Sequence, residues 1–253
     1  MGPGPEEKYK AKDPRSLLLR THAQNSGASL TWQQPLNNIV RTTIEALATV
    51  LGGTQSLHTN SYDEAWALPS EKAATVALRT QQVIAEETGV TDVIDPLAGS
   101  YYLEWLTDEM EQRAFEYFDK IEQAGGLLEA IKTGFIQREI AETAYRYQQE
   151  MEKGERVVVG VNKYHVEEKM PIDTLKINHE AQRLQVDRIN RVRQTRDNGK
   201  VQRSLEELRK IFEDPKANAM YPMIRAVKAY ATLGEIMDVG RKVFGDYKEP
   251  PIL

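Results

Sequence analysis

Two stretches of the chain carry polar residues where an α/β protein would have buried strands. "LRTHAQNSGASL", residues 19–30, precedes a helical pattern, and "GGTQSLHTNS", residues 52–61, follows it. A buried parallel strand is usually a run of Val, Ile and Leu, whereas these two segments are rich in Thr, Ser, Asn, Gln and His. Two strands joined by a helix predict a parallel pair, because a parallel connection needs a crossover of this kind.

Apolar periodicity and glycine positions predict the two helices that follow these strands. The first lies within residues 33–53, with Ile39, Thr43, Leu47 and Val50 on one face and Gly52 at its end. The second lies within 62–90. Pro69 and Ser70 stand near the start of the second helix and Gly89 stands at its end.

The rest of the chain is predicted to be largely helical. Residues 92–106 are expected to be extended or looped, and 155–164, "ERVVVGVNKY", is the one apolar run typical of a β-strand. Residues 167–180 are expected to be irregular. The predicted helices cover 107–126, 127–153 with an interruption at Gly134, 181–213 with a break at Asn198–Gly199, and 219–244.

The predicted organisation has three parts. Residues 1–14 form a flexible lead-in rich in Pro and Gly, 15–125 hold the strand–helix–strand–helix segment, which the family resemblance given below implies is a partial barrel, and 126–253 form a mainly helical extension. A barrel of this type needs eight strands. The sheet is therefore either completed by another chain or belongs to the C-terminal piece of something larger.

Three interpretations of the polar segments compete. They are surface loops, or misassigned helices, or strands of a barrel lined with small polar side chains because a polar ligand passes through it. Each polar group buried without a partner costs roughly 1–3 kcal/mol. A threaded ligand would supply partners for such groups, and the β-branched residues and flanking glycines argue against a helix.

Composition narrows the class of protein. The chain has 253 residues, no cysteine and a net charge of −5, so disulfides and thiolate metal sites are excluded and nucleic-acid binding is not expected. No apolar run is long enough to span a membrane, and the N-terminus lacks the apolar core of a secretory signal. We therefore predict a cytoplasmic protein that binds neither nucleic acid nor membrane.

Three long motifs carry a family resemblance. "RTHAQNSGASLTWQQPLNNIVRTTIEALA", "GGTQSLHTNSYDEAWALPSEKAATVALRTQ" and "DPLAGSYYLEWLTDE" resemble the large subunit of the methylmalonyl-CoA mutase family, the adenosylcobalamin-dependent acyl-CoA mutases. The resemblance continues to "VKAYATLGEIMDVGRKVFGDY" and covers nearly the whole chain after residue 14. It falls in the C-terminal part of the family's catalytic region.

This resemblance implies a fold, an activity and partners. The fold is the last two strands and helices of a TIM-type (β/α)8 barrel, followed by a mostly helical linker, and the barrel encloses the pantetheine arm of coenzyme A. The activity is radical carbon-skeleton isomerisation of the methylmalonyl-CoA to succinyl-CoA type. The Asp-x-His-x-x-Gly motif that provides the lower cobalt ligand is absent from the sequence. The partners are therefore an acyl-CoA, the first six barrel strands and a cobalamin-binding subunit or domain, and the isolated chain is expected to be inactive.

The resemblance also implies roles for individual residues. Arg20, His22 and Gln24 alternate along strand seven, share one face and line the acyl-CoA site. On strand eight, Gln55 and Ser56 contact the CoA arm or its surroundings. Asn60 and Glu64, just beyond it, hydrogen-bond the ribose of the adenosyl group. No catalytic residue and no metal ligand is assigned.

Several alternatives stay open at this level. Glu64 also suits the start of the following helix, His58 is expected to be a packed or capping residue, and His165 and His179 are expected at the surface. The chain as a whole could be a non-catalytic assembly module of a mutase complex, or an unrelated CoA-binding protein on the same scaffold. An unpaired strand edge also predicts self-association.

Overall fold

A computed structural model describes residues 9–167 and 172–249 and divides them into two compact units. The first holds the described residues up to 175, and the second holds 176–249. The two units are described separately below. The predicted boundaries at residues 14 and 125 remain predictions.

The first unit contains a small parallel sheet. Strand β1 (His22–Gln24) pairs with strand β2 (Ser56–His58), in a register that places His22 opposite Ser56 and Gln24 opposite His58. Helix α1 (Asn37–Leu51) connects the strands, and helix α2 (Glu71–Glu87) follows β2. The predicted strand–helix–strand–helix order and the parallel pairing are confirmed, although each strand has only three residues.

Glycines and capping side chains set the ends of these two helices. Helix α1 ends before Gly52, and Gly53 follows with a φ of +81° that disfavours any residue with a side chain. Helix α2 begins where the Ser70 side chain accepts a hydrogen bond from the Ala73 amide, and it is followed by Gly89. The predicted start and end of α2 are confirmed.

The most buried face of α1 lies one residue away from the predicted one. Asn38, Thr42 and Ala46 are buried, whereas Ile39, Thr43, Leu47 and Val50 are only half-buried. The burial of Asn38 is compensated because its side-chain amide donates hydrogen bonds to the carbonyls of Thr31 (2.8 Å) and Tyr62 (3.0 Å). The inner face of this helix is therefore held to the neighbouring loops by polar contacts.

The remaining helices of the first unit expose most of their surface. They are α3 (Tyr101–Gln123), α4 (Leu127–Lys132) and α5 (Phe135–Glu152), and neither α3 nor α5 has a buried residue. Gly134, with a φ of +71°, separates α4 from α5, which confirms the predicted interruption. In the described part of the chain, no helix is both long and apolar enough to cross a membrane.

Two predictions for the first unit are wrong. Residues 101–106 are the first turns of α3 rather than extended chain, because the chain turns at Gly99 and enters the helix after Ser100. Residues 155–164 form no strand; they contain one isolated bridge, between Val159 and Lys163. Gly160, with a φ of +83°, turns the chain back on itself, and the Asn162 side chain bonds the Val158 amide and the Arg156 carbonyl.

The second unit is a set of helices with its own core. They are α6 (His179–Thr195), α7 (Asn198–Phe212), α8 (Met220–Lys228) and α9 (Leu233–Phe244). Apolar side chains of α7, α8 and α9 pack together, with Val201, Leu208 and Ala226 fully buried. The break between α6 and α7 lies slightly before the predicted Asn198–Gly199, because the Asp197 side chain caps α7 by accepting from the Lys200 amide. Residues 172–178 are irregular as predicted, and 168–171 lie outside the described residues.

Candidate functional site

The two faces of the β1–β2 sheet differ in chemistry. His22, Gln24, Ser56 and His58 project from one face and are exposed. Ala23 and Leu57 project from the other face and are half-buried. On the Leu57 side, the Gln81 side chain of α2 donates to the Leu57 carbonyl at 3.1 Å. The helices therefore cover the apolar face and leave a polar face open, which we call the open sheet face.

One cross-strand hydrogen bond organises this open sheet face. The Nδ1 atom of His22 lies 2.7 Å from the hydroxyl oxygen of Ser56. The pair fixes one ring nitrogen of His22 and leaves Nε2 available. Among the described residues, the side chains of Gln24 and His58 have no hydrogen-bond partner, so both are free to bind a ligand.

The structure places Arg20 and Gln55 just outside the strands rather than on them. Arg20 is exposed, two residues before β1. Gln55 comes immediately before β2, and its Oε1 atom accepts from the amide (2.6 Å) and the hydroxyl (2.9 Å) of Thr21. Gln55 and Ser56 both line a cavity of about 410 Å³ with Gln81 and Ile84 of α2. The Gln55 side chain is held by Thr21 at the start of β2, whereas the Ser56 hydroxyl contacts His22 across the strands.

Buried polar residues follow both strands. The Asn25 amide donates to the His58 carbonyl at 3.2 Å, and the Asn60 side chain donates to the Asn25 carbonyl at 2.9 Å. Asn60 is 2% exposed, and its Oδ1 atom has no partner among the described residues. Asp63 is also fully buried and accepts from the Ser70 amide at 2.9 Å. The polar stretch after β2 thus forms a loop whose interior is held by amides and carboxylates.

Glu64 lies at the surface of this loop, next to the loop after β1. A Cβ atom placed on Gly27 would be 3.2 Å from its Oε1 atom, so the carboxylate lies directly over that glycine. Helix α2 does not begin until Glu71, and Glu71 is the acidic residue of its first turn. The alternative of Glu64 as a helix-start residue is therefore wrong. The structure brings Asn60 and Glu64 to the same short loop, residues 25–27.

Three residues of this region belong to the candidate site or its supporting loops but were not predicted to do so from the sequence. His58 was expected to be packed or capping, but its ring is exposed on the open sheet face. Alternation with Ser56 was the available signal, since residues two apart on a strand share a face. Asn25 and Asn38, which hold the surrounding loops, gave no sequence signal beyond being amides in a polar stretch.

The other candidate features lie away from the sheet. His165 and His179 are exposed, and the described residues contain no group of three or more His, Asp or Glu side chains able to hold a metal ion. A cavity of about 800 Å³ lies between α3 and α5 and includes Ala28 and Ser29 in its lining. The Tyr117 hydroxyl in this cavity donates to Glu139 at 2.8 Å, and that bond raises the pKa of Tyr117.

The sequence of the chain was compared with known proteins, and the matches belong to one family. The family model described as methylmalonyl-CoA mutase matches residues 5–246. The methylmalonyl-CoA mutase of Rhizobium meliloti (strain 1021) is 47% identical over 246 residues, which are 97% of this chain and 35% of that protein. The 2-hydroxyisobutanoyl-CoA mutase large subunit of Aquincola tertiaricarbonis is 44% identical over 98% of this chain and 44% of its own length. The mitochondrial methylmalonyl-CoA mutase of Homo sapiens is 42% identical over 96% of this chain and 32% of its own length.

The chain spans about a third to somewhat under half of the length of these relatives. The similarity nevertheless extends through both compact units and includes the open sheet face and the loops after the strands. The chain belongs to the methylmalonyl-CoA mutase family.

Proposed function

We propose that this chain forms part of the substrate-binding wall of an adenosylcobalamin-dependent acyl-CoA mutase. The observation that carries the proposal is the open sheet face, where His22, Gln24, Ser56 and His58 are exposed while the helices cover the opposite side. A parallel sheet is normally covered on both faces. A polar face is best covered by a polar ligand, and the arm of coenzyme A has amides and hydroxyls that can pair with these side chains.

In this proposal the side chains of the open sheet face bind and orient the acyl-CoA. The Ser56 hydroxyl, held by His22, bonds an amide of the pantetheine arm. Arg20, before β1, offers a guanidinium with no ion pair among the described residues, and Gln24 offers an amide. Gln55 takes no direct part, because Thr21 already occupies its side-chain oxygen.

The residues beyond β2 fit one part of the cofactor. Asn60 has a buried side-chain oxygen without a partner, and the exposed Glu64 carboxylate lies over a glycine that leaves room beside it. An amide oxygen and a carboxylate are suitable acceptors for the two hydroxyls of a ribose. When bound, adenosylcobalamin supplies the radical that takes a hydrogen atom from the substrate. Here Asn60 and Glu64 would hold its nucleoside and help exclude water.

The lower side of the cofactor has no matching residues in this chain. The sequence lacks Asp-x-His-x-x-Gly, and the described residues have no metal-ligand cluster. The proposed site therefore also needs the remaining barrel strands and a cobalamin-binding part. These are the partners that we propose, together with the acyl-CoA substrate.

A second candidate function is supported by the exposed helices. Neither α3 nor α5 has a buried residue, yet Trp105, Met110 and Ile140 on these helices are largely exposed apolar side chains. A non-catalytic assembly module would use such surfaces to bind a partner. The alternative of an unrelated CoA-binding protein is excluded, because the chain belongs to the mutase family.

Reconstitution separates the two candidates. The chain is mixed with the remaining part of the Rhizobium meliloti mutase, adenosylcobalamin and methylmalonyl-CoA, and succinyl-CoA is measured. Turnover that depends on this chain, falls with His22→Ala and is unaffected by His165→Ala supports a substrate-binding role. A complex that forms but is equally active with His22→Ala supports an assembly role.

A further inference from the structure

His58 is the residue of the open sheet face that no role yet explains. The β1–β2 register places it directly opposite Gln24, on the same face as His22 and Ser56. Its ring is exposed, and the described residues offer it no hydrogen-bond partner. His22, by contrast, has one ring nitrogen occupied by Ser56. The two imidazoles on this face are therefore not equivalent.

The position of His58 along β2 places it between two residues to which the proposed function gives roles, Ser56 and Asn60. A strand advances about 3.3 Å per residue, so Ser56 and His58 are about 7 Å apart along the strand, and Asn60 follows two residues beyond the end of β2. In the proposed function, Ser56 contacts the pantetheine arm and Asn60 contacts the nucleoside. His58 lies midway between them, where the arm ends and the reacting acyl group must approach the nucleoside.

The chemistry of the Gln24–His58 pair suits this intermediate position. A neutral imidazole has one donor and one acceptor nitrogen, and a primary amide has two donor hydrogens and one acceptor oxygen. The acyl end of an acyl-CoA has a thioester carbonyl, which accepts, and often a carboxylate or hydroxyl substituent. Two adjacent strands thus present donors to two neighbouring oxygens of one ligand.

We propose that His58, together with Gln24, binds the acyl-thioester end of the substrate and distinguishes acyl-CoA from free coenzyme A. The inference rests on the proposed function, because the ligand is the acyl-CoA proposed for this same sheet. It adds a residue, His58, and a specificity for the acyl end.

The four histidines of the chain allow a direct test. The chain is labelled with 13C-histidine and reconstituted with the unlabelled remaining part of the Rhizobium meliloti mutase, and its ring Hε1 signals are recorded by NMR and assigned with single His→Gln variants. Methylmalonyl-CoA and free coenzyme A are then titrated in separate experiments. We expect methylmalonyl-CoA to move the His22 and His58 signals, and free coenzyme A to move His22 but leave His58 nearly unchanged. The exposed His165 and His179 are internal controls and should not move with either ligand.

Each of the other possible NMR results contradicts a different one of the proposals. If methylmalonyl-CoA moves His22 alone, the role of His58 is wrong and the proposed function stands. If free coenzyme A moves His58 as far as methylmalonyl-CoA does, the acyl-end specificity is wrong. If neither sheet histidine moves with either ligand, the open sheet face does not bind acyl-CoA and both proposals are overturned.

Binding by variants provides a second measurement. We expect His58→Ala to raise the dissociation constant for methylmalonyl-CoA about tenfold, which corresponds to the loss of one hydrogen bond. It should leave the constant for free coenzyme A within twofold. His58→Gln keeps a donor and an acceptor and should recover most of the affinity, whereas His165→Ala is the matched control without effect. Equal losses for both ligands, or no recovery with Gln, would contradict the inference.

Discussion

At the scale of single residues, the position of Glu64 beside Gly27 determines which charged group a ligand can meet in the loops that follow the strands. The carboxylate occupies the space that a side chain at Gly27 would need, since a Cβ there would be 3.2 Å from Oε1. Glu64 is not part of α2, which begins seven residues later. Its charge therefore does not serve the helix, and it remains available to a ligand.

The corresponding prediction concerns Glu64→Gln in a reconstituted mutase. Gln keeps the shape but loses the charge, and a charged acceptor makes a stronger hydrogen bond to a hydroxyl than a neutral one does. We expect use of adenosylcobalamin to weaken by about tenfold, equal to about 1.4 kcal/mol, with acyl-CoA affinity nearly unchanged. The measurements are the apparent cofactor constant, turnover and acyl-CoA binding.

Glu71→Gln is the matched control, because Glu71 stands in the first turn of α2 rather than in the loop after β2. It should leave cofactor use unchanged. An effect of Glu64→Gln on acyl-CoA binding alone would show that the ribose assignment is wrong.

The face on which each strand residue lies could be predicted from the sequence, whereas the contacts of the residues beside the strands could not. Alternation is enough to put His22 and Gln24 on one face, and the structure has them there. Gln55 stands beside Ser56 in sequence, but its side-chain oxygen is occupied by two hydrogen bonds from Thr21, a contact across 34 residues that no local pattern reveals. His58 has the same alternation signal as Ser56, but a lone histidine is more often a packed or capping residue, and that expectation outweighed the alternation.

At the scale of helices and strands, one ion pair stands out in the second unit. Arg196, whose side chain is 6% exposed, donates to Glu235 at 2.7 Å and to the Tyr230 carbonyl at 2.8 Å. Glu235 also belongs to the capping box of α9, in which the Thr232 amide donates to its carboxylate. The hydrogen bond from Arg196 is the main cause that lowers the pKa of Glu235 to about 2, with Thr232 contributing and burial opposing.

This pKa predicts how stability depends on pH. A carboxyl with a depressed pKa in the folded state stabilises the fold above its unfolded pKa, about 4.3, and loses that contribution as the pH falls toward the folded pKa. We expect Glu235→Gln to lower the free energy of unfolding by roughly 2–3 kcal/mol at pH 7. The difference from the unmodified chain should shrink as the pH falls from 5 toward 3, and urea unfolding at several pH values measures it.

Glu207→Gln provides the control for this experiment. Glu207 pairs with Arg225 at the surface, where solvent screens the charges. Its loss should have no measurable effect on unfolding at any pH. A Glu235→Gln difference that stayed constant between pH 7 and pH 3 would contradict the assigned cause.

Helix boundaries were predictable where glycine or a capping residue sets them, as at Ser70, Gly89 and Gly134. The apolar run 155–164 misled because a strand needs a neighbour to pair with, and Gly160 turns this segment back instead. Its Val159 carbonyl is bonded by Arg41 of α1 at 2.7 Å. A tertiary contact of that kind decides the conformation and has no local signature.

At the scale of the whole molecule, the described residues form a two-stranded sheet and several helices that carry exposed apolar side chains. Sheet edges without neighbours and exposed apolar surfaces favour association. We predict that the purified chain associates with itself, so that sedimentation gives a mass that rises with concentration above the 28.8 kDa of one chain. Adding the remaining part of a family mutase should compete with this self-association.

A chain that stays monomeric at all concentrations, with the β1 and β2 amides protected from hydrogen exchange, would contradict this prediction.

A second prediction for the whole molecule concerns turnover. The chain alone should not convert any acyl-CoA in the presence of adenosylcobalamin, because its sequence lacks the Asp-x-His-x-x-Gly motif and the sheet of its described residues has two strands. Measurable succinyl-CoA formation by the purified chain would overturn that expectation.

The pairing of β1 with β2 also has a consequence for how the chain folds. His22 and Ser56 are 34 residues apart, so the sheet forms only after a long loop has closed around α1. The contacts among α7, α8 and α9 join helices that follow one another closely in sequence. Local contacts form faster than distant ones. In pulse-labelled refolding, the amides of α7–α9 should therefore become protected before the Asn25 amide, which bonds the His58 carbonyl across the strands.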